Sequence, residues 1–450
     1  MARLDRDSDT ICALATPSGV GALSVIRISG ERAVQIIRNI AQFLPNDLIS
    51  HRAYYGFLRD LNSDEVIDEV ILTYFEKGKS FSGEESIEIS CHGGHIITQQ
   101  ILRVLISLGT RIAQKGEFTY RAFINGRIDL PQAEAVLSVI ESQTTAGAKL
   151  ALRQLQGGFS ASLKSIEDEL VWSLSRLEAN IDFSSEFIEF ASQNEIILRV
   201  EKALNDTQKL LKTYNKGRIL KSGLKVVLAG PPNVGKSSIL NRLSKQDRAI
   251  VSSTPGTTRD TIEIEIEIDG NKVLLIDTAG IHETEEQIEL QGVERALKEQ
   301  EAADIILSIH DVTNPGEKIE KFATEKSAQN IIYVGNKSDL NHDKEKQTAD
   351  IFLSASTGEG IEELFEKIKI FFNLQNEETS AVLLNARHYE LLLKTEIHLS
   401  SGLKLLKGSM SPEFVISELQ ESFYAILEIL GRRFDDDILD RIFSDFCLGK

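Results

Sequence analysis

Cysteine is scarce. There are three in 450 residues, Cys12, Cys91 and Cys447, odd in number and far apart. That spacing excludes a disulfide framework and a Cys-rich zinc site and points to a reducing compartment. Any uninterrupted run of about 18 apolar residues is also missing, so no segment reads as a membrane-spanning helix. The opening Met1-Ala-Arg-Leu-Asp-Arg-Asp7 is charged where a secretory signal needs an apolar stretch. A cytoplasmic protein is expected. Positive charge is in deficit as well: the formal net charge is -18. No global basic field recruits nucleic acid, and an RNA partner must be held by a local patch or shared with a second protein. The remaining composition, 42% hydrophobic and 26% charged, is that of ordinary globular domains. The length exceeds one hydrophobic core and predicts about three domains.

The most informative stretch is Lys225 to Ser238, a short apolar run followed by Gly230-Pro-Pro-Asn-Val-Gly-Lys-Ser237 and then Ile239 to Leu243. This order predicts a buried strand, a phosphate loop and a helix start. Successive backbone N–H groups of such a loop and the helix N-terminus form a concavity for a β-phosphate. Gly230 and Gly235 let the backbone approach, Lys236 supplies positive charge to the β- and γ-phosphates, and the Ser237 hydroxyl is placed for Mg²⁺. Asn233, Val234, Gly235, Lys236, Ser237 and Ser238 are therefore candidate nucleotide contacts.

Upstream, mixed strands and helices are expected from Thr10 to about Phe118. They comprise a strand at Ala22–Ser29, a helix at Glu31–Phe43, strands at Val70–Tyr74 and Ser86–Cys91, and a helix at His95–Leu108. Alternation places Arg27 and Glu88 on the solvent face of their strands. Cys91-His-Gly-Gly94 reads as a strand-to-helix turn rather than a metal site. From Pro131 the strands stop, and Phe159, Leu163, Ile166, Leu170, Leu174, Leu177 and Ile181 recur at three- and four-residue steps, the stripe of a bundle helix. Helical pattern continues over Glu195–Tyr214 and returns from His388 to the end. The economical reading is one helical domain interrupted by a nucleotide domain at about Lys216 to Asn376.

Within that insertion, Thr254-Pro-Gly-Thr-Thr-Arg-Asp260 precedes an alternating strand, Ile262–Ile268. A threonine hydroxyl here could complete a Mg²⁺ shell when γ-phosphate is bound, making the loop a switch. Val273-Leu-Leu-Ile-Asp-Thr-Ala-Gly280 then places Asp277 near the metal and the Gly280 N–H near the γ-phosphate. In Asn336-Lys-Ser-Asp339, Asp339 can accept from guanine N1–H and its 2-amino group, which adenine does not offer. Ser354 and Ala355 close the base pocket. Candidate contacts therefore also include Ser252, Ser253, Thr254, Pro255, Gly256, Thr257, Thr258, Asp277, Thr278, Ala279, Gly280, Asn336, Lys337, Asp339, Ser354 and Ala355. A GTPase is expected. Where Ras-like enzymes often carry a water-orienting glutamine, this chain has Ile281, and a hydrocarbon can neither orient water nor stabilise charge. A partner's arginine, a monovalent cation near Asn233, or a carboxylate from Glu283, Glu285, Glu286 and Glu289 would have to serve instead.

Several motifs together resemble the MnmE (TrmE) family of tRNA-modification GTPases. They are Asp9-Thr-Ile-Cys-Ala-Leu-Ala-Thr-Pro17, Ile26-Arg-Ile-Ser-Gly30, Gly116-Glu-Phe-Thr119, Asn125-Gly-Arg-Ile-Asp-Leu130, the inserted GTPase, and the terminal Phe446-Cys-Leu-Gly-Lys450. The resemblance runs from residue 9 to 450. It implies a multidomain α/β plus all-α fold, with an α+β folate-binding and dimerisation domain at 1–119 and a helical bundle at 120–215 and 377–450. A Ras-like P-loop GTPase domain, 216–376, is inserted into that bundle.

The same resemblance implies modification of C5 of a tRNA wobble uridine with a flavoprotein partner, MnmG (GidA). The one-carbon source is a formyl- or methylene-type tetrahydrofolate, and FAD and NADH reside on the partner. It assigns folate binding to Arg27, Glu88, Arg127 and Lys450, although Arg127 stands where lysine is the usual residue. It assigns K⁺ to Asn233, Ser252, Thr254 and Thr257, Mg²⁺ to Ser237 and Thr258, and water activation to Glu289, with Lys236 as the other catalytic group. Cys447 falls near the folate site, either as a nucleophile or as a packed small apolar residue beside Phe446. A ribosome-assembly GTPase is the alternative, as is a folate enzyme regulated by GTP.

Overall fold

The computed structural model describes residues 9–61, 63–142, 144–182, 191–244, 262–277, 299–314, 330–340, 349–373, 382–383, 385–408, 410–433 and 436–450. In chain order the first elements are β1 (Ile11–Leu14), β2 (Leu23–Ser29), α1 (Ala33–Arg38), β3 (Arg52–Arg59), β4 (Val66–Phe75), β5 (Ser86–His92), α2 (His95–Ser107), β6 (Arg111–Ile112) and α3 (Glu117–Ile124). Helices α4 (Leu130–Glu141), α5 (Thr145–Leu155), α6 (Gly158–Asp182), α7 (Gln193–Lys212) and α8 (Tyr214–Ser222) follow. Then come β7 (Leu224–Ala229), α9 (Lys236–Ser244), β8 (Ile262–Ile268), β9 (Asn271–Asp277), β10 (Ile305–Asp311), β11 (Ile331–Asn336) and β12 (Ile351–Phe352). Helices α10 (Ile361–Asn373), α11 (Ala386–Lys407), α12 (Pro412–Ile429) and α13 (Asp436–Ser444) complete the chain. Among the described residues no helix is long and apolar enough to cross a membrane.

The chain divides into two compact units: residues 1–140, 152–207 and 390–450 in the first, 141–151 and 208–389 in the second. The first unit carries a six-stranded sheet of order β3-β4-β5-β2-β1-β6, antiparallel except where β6 joins β1. Its core gathers Ile26, Ile28, Leu58, Val70, Leu72, Ile87 and Ile89 from the strands, with Ile36 and Ile37 of α1 and Ile101 and Leu105 of α2. Helix α1 is shorter than the apolar spacing predicts. The Asn39 side chain donates to the Gln35 and Ile36 carbonyls and so satisfies the helix end. Strand β3 has no counterpart in the sequence reading because Gly56 interrupts its pattern. A Cβ there would lie 2.2 Å from Cγ of Phe43, whose ring covers the backbone. Cys91 to Gly94 does form the strand-to-helix turn, with Gly94 capping α2 in an extended conformation.

The stripe read from α6 is buried at Phe159, Leu163, Ile166, Leu170, Leu174 and Leu177. Helix α12 packs along α6, and its own buried face is Val415, Leu419, Ser422, Ala425, Ile426 and Ile429. In the second unit, a sheet of order β12-β11-β10-β7-β9-β8 is parallel apart from the edge strand β8. Leu224, Val226 and Leu228 of β7 sit at its centre and are fully buried, as strands covered on both faces require. The carboxyl ends of β7, β9, β10 and β11 therefore lie along one edge, where open parallel sheets bind ligands.

Candidate functional site

The phosphate loop leaves β7 at Gly230 and enters α9 at Lys236. Gly230 has φ +150°, and a Cβ there would lie 2.2 Å from the Ile309 carbonyl oxygen of β10. Gly235, at φ +93°, would bring a Cβ within 2.3 Å of Asn336 Nδ2. Both glycines are therefore required by close approach as well as by backbone conformation. Lys236 is only 5% exposed. Its ammonium donates to the Gly230 and Pro231 carbonyls, each at 2.7 Å, which curls the side chain back over its own loop. Burial pushes its pKa below the usual lysine value, against the opposing attraction of Asp277.

The Ser237 hydroxyl donates to Asp277 Oδ2 at 2.7 Å, joining the first residue past the loop lysine to the end of β9. A hydroxyl and a buried carboxylate converging in this way form a hard oxygen donor set, which suits Mg²⁺. On the base side, Asn336 donates through Nδ2 to the Val234 carbonyl at 2.8 Å and accepts through Oδ1 from the Ala355 N–H at 3.1 Å. One side chain thus braces the phosphate loop against two base loops. Asp339 accepts from the Ser356 hydroxyl at 3.3 Å. Hydrogen bonding from Ser354 is the largest cause holding its carboxyl below the ordinary value. Ser354 in turn bonds Ser356 at 2.9 Å. Arg242 of α9 donates to the Thr357 carbonyl at 2.7 Å, a brace on the last loop that sequence reading missed.

The structure thus brings Asn233, Val234, Gly235, Lys236, Ser237, Ser238, Asp277, Asn336, Lys337, Asp339, Ser354 and Ala355 to the carboxyl edge of one sheet. Ser252, Ser253, Thr254, Pro255, Gly256, Thr257, Thr258, Thr278, Ala279, Gly280, Ile281 and Glu289 lie outside the described residues.

A second cluster forms on the first unit, on the sheet face opposite its core. Arg27 of β2 is directly across from Glu88 of β5. Its Nε and Nη2 both donate to Glu88 Oε1, at 3.0 and 2.7 Å. The pair is partly enclosed, at 14% and 29% side-chain exposure. The guanidinium lies 5.3 Å from the Phe81 ring centroid and 5.5 Å from that of Phe118, and its Nη1 reaches the Gly449 carbonyl at 3.4 Å. The terminal segment is seated there by Phe118 N–H, which donates to the Lys450 carbonyl at 3.2 Å, and by Phe446, which is buried. Gly449, at φ +89°, runs so close to β1 that a Cβ would meet the Leu14 carbonyl oxygen at 2.3 Å. Burial, then the nearby Arg27 charge, push the Lys450 ammonium below its usual pKa.

Alternation correctly turned Arg27 and Glu88 away from the core but missed the C-terminal residues that partly cover them. Arg127 is exposed in the loop after α3, outside the hydrogen bonds that join Arg27, Glu88 and Gly449. Cys447 is exposed rather than packed, which corrects its reading as a small apolar filler: Phe446 fills the core and turns its neighbour outward.

Sequence reading also missed the ion network behind this cluster. Arg121 is 3% exposed and contacts Asp9, Glu84 and Glu117, while Arg111 bonds Asp9 and Glu117. The available signal was Glu117 and Arg121 four apart on a short, otherwise apolar helix. Burial raises the Glu117 pKa, yet the hydrogen bonds from Arg111 and the Gln114 N–H, with Arg121 nearby, bring it below the ordinary glutamate value. A depressed folded-state pKa contributes stability that is fully present above the unfolded value and lost as pH falls through the folded one. Glu117→Gln is expected to cost about 2 kcal/mol at neutral pH by removing a charged acceptor shared by Arg121 and Arg111, although Asp9 and Glu84 still pair with Arg121 and Asp9 with Arg111. It should also flatten the loss of stability below about pH 4.5. Urea unfolding at both pH values reads this, and parallel wild-type and variant curves would refute it.

A parallel sheet with a Gly-x-x-x-x-Gly-Lys-Ser loop, a strand-end aspartate and an Asn-Lys-x-Asp loop along one edge defines a P-loop GTPase. Residues 10–127 match the family profile of the GTP-binding protein TrmE N-terminus, and residues 130–447 that of the MnmE helical domain. The tRNA modification GTPase MnmE of Bdellovibrio bacteriovorus is 41% identical over 100% of this chain and 99% of its own. Those of Syntrophus aciditrophicus and Geobacter sulfurreducens are each 39% identical over 98% of this chain and 99% of theirs. The solved G domain of the T. maritima FeoB iron transporter is similar over 33% of this chain and 98% of its own, with 28% identity and a TM-score of 0.24. The chain belongs to the MnmE (TrmE) family of tRNA modification GTPases.

Proposed function

We propose that this GTPase acts in tRNA modification with a flavoprotein partner of the MnmG (GidA) type, in the cytoplasm. The reaction adds a carboxymethylaminomethyl or aminomethyl group at C5 of the wobble uridine, position 34. The observation that carries the reading is the pairing of two sites on one chain: a GTPase edge, and an Arg27–Glu88 pair flanked by two aromatic rings and the C-terminal segment. An acid beside a base suits a pteridine carrying a glutamyl tail. Arg27 would meet its carboxylate. Both Arg27 bonds to Glu88 land on Oε1, which leaves Oε2 as an acceptor for a pterin N–H. Lys450 adds a second cation, and exposed Arg127 would reach a tail extending outward. A bound tetrahydrofolate would supply the transferred carbon, while these residues orient it.

In the nucleotide site Lys236 neutralises charge on the β- and γ-phosphates, and backbone N–H groups hold the phosphate oxygens. Ser237 and Thr258 would hold Mg²⁺, which offsets the triphosphate charge. Asn233, with Ser252, Thr254 and Thr257, would hold K⁺, and Glu289 would position the attacking water, roles that Ile281 cannot fill. Hydrolysis should then be several-fold faster in K⁺ than in Na⁺ at matched ionic strength; equal rates would remove the K⁺ site. The proposed division gives 1–119 to folate binding, 120–215 and 377–450 to the helical scaffold and 216–376 to GTP, with Arg127 and Lys450 reaching the folate from the scaffold segments. Arg27 and Glu88 in the first sheet and the phosphate loop at the second support it. On the open sheet face Tyr55, Phe57 and Ile71 are exposed. An apolar face of this kind supports a homodimer through the N-terminal domain.

Nucleoside mass spectrometry of tRNA from cells lacking the gene, with and without a restored copy, tests the reading. Loss and return of the C5-modified uridines supports it. Unchanged wobble uridine would leave a GTPase whose function lies elsewhere, with ribosome assembly next in line.

A further inference from the structure

The Asn-Lys-x-Asp loop carries a lysine whose orientation the motif does not explain. Lys337 has a left-handed backbone, φ +65°. Its ammonium reaches the Asn233 carbonyl of the phosphate loop at 3.2 Å. A four-carbon amine spanning two loops has many rotamers and needs a second anchor to stay in one. That anchor is Asp311, the last residue of β10, which stands in register with Asn336 at the end of β11. Asp311 Oδ2 accepts from Lys337 Nζ at 2.5 Å. Its other oxygen accepts from the Thr313 N–H at 2.9 Å and the Thr313 hydroxyl at 2.6 Å, so the carboxylate itself cannot rotate. Burial raises the Asp311 pKa, but Lys337 and Thr313 outweigh it and bring it below the ordinary aspartate value, so the group is charged at neutral pH.

We infer that Asp311 is a positioning residue for nucleotide binding, holding the Lys337 ammonium across the phosphate loop so that base and phosphate are gripped by one connected frame. The same strand end fixes the loop from below, since the Ile309 carbonyl is what forbids a side chain at Gly230. Strand β10 thus sets the height of the phosphate loop through one residue and the position of the base-loop lysine through another. Asparagine at 311 would keep the shape and the Thr313 contact but replace the charged acceptor with an amide. Lys337 would then be free to leave the Asn233 carbonyl. The inference rests on the reading of Lys337 as a nucleotide contact.

The test is the release rate of fluorescent N-methylanthraniloyl-GDP from the full-length protein with Mg²⁺, for the wild type, Asp311→Asn, Lys337→Ala and the double variant. Asp311→Asn is expected to speed release about tenfold, equivalent to about 1.4 kcal/mol. Asp311→Glu, which keeps the charge, should recover part of the loss. The double variant should release no faster than Lys337→Ala alone, because Asp311 acts through the lysine. A merely structural aspartate would give effects that multiply, and that result would overturn the proposal. If Lys337→Ala is fast and Asp311→Asn is unchanged, the proposal falls alone. If Lys337→Ala is itself unchanged, the reading of Lys337 falls with it. Should Asp311→Asn fail to fold, Asp311→Ser, which also removes the charged acceptor, gives the same cycle in both lysine backgrounds.

Discussion

Lys236→Ala is expected to lower GTP turnover about a thousandfold, the scale seen when a preorganised charge-stabilising donor is removed. The reason lies in how this amine is stored. It is buried, bonded to two carbonyls of its own loop, and close to Asp277. No other described lysine or arginine donates to those loop carbonyls, so none takes over its contacts when it is removed. The fold should survive, because the loop shape is held independently by Asn336 and by the glycines at 230 and 235. Phosphate release measured in Mg²⁺ and K⁺ reads the loss, with the thermal midpoint as the folding control. Turnover within tenfold of wild type would mean that the charge is supplied elsewhere.

Arg27→Ala should weaken tetrahydrofolate binding about a hundredfold, in line with truncating one member of a partly desolvated charge pair. Five contacts go together: the two bonds to Glu88, the reach to the Gly449 carbonyl, and the approach of the cation to the Phe81 and Phe118 rings. Arg27→Lys should sit between the two, since an ammonium cannot reproduce the paired Nε and Nη2 donation. Calorimetric titration with 5-formyltetrahydrofolate decides it. Wild-type affinity in the alanine variant would detach folate from this cluster and leave Arg27 a structural partner of Glu88.

Much of this protein is legible along the chain because its strongest signals are local. The phosphate loop, its flanking strand and helix, and the Asn-Lys-x-Asp loop are each defined within about fifteen residues by backbone geometry and motif spacing. The α6 stripe is equally local, since burial on a helix repeats every three to four residues, and the structure buries it from Phe159 to Leu177 and leaves Ile181 half-buried. Short or interrupted elements escape that logic. Four-residue β1 has too little length for alternation to register, and β3 hides behind Gly56, whose missing side chain makes sense only once the Phe43 ring lies on it.

Charge partners escape it more completely. Arg27 and Glu88 are 61 residues apart, Arg27 and Gly449 are 422 apart, and Arg121 draws on Asp9, 112 residues away. No local rule links such positions, because a guanidinium reaches any carboxylate the fold delivers within about 3 Å. The sequence alone determined that this is a GTP-binding chain with a helical scaffold, since motif spacing and helical periodicity act within a few turns of backbone. The family resemblance placed Lys450 with Arg27 and Glu88, but tertiary structure alone decided that the Gly449 carbonyl meets Arg27, that Cys447 faces outward, and that Asp311 bonds Lys337. Each of these depends on strands or termini brought together by burial of apolar faces, whose pairing no single stretch encodes.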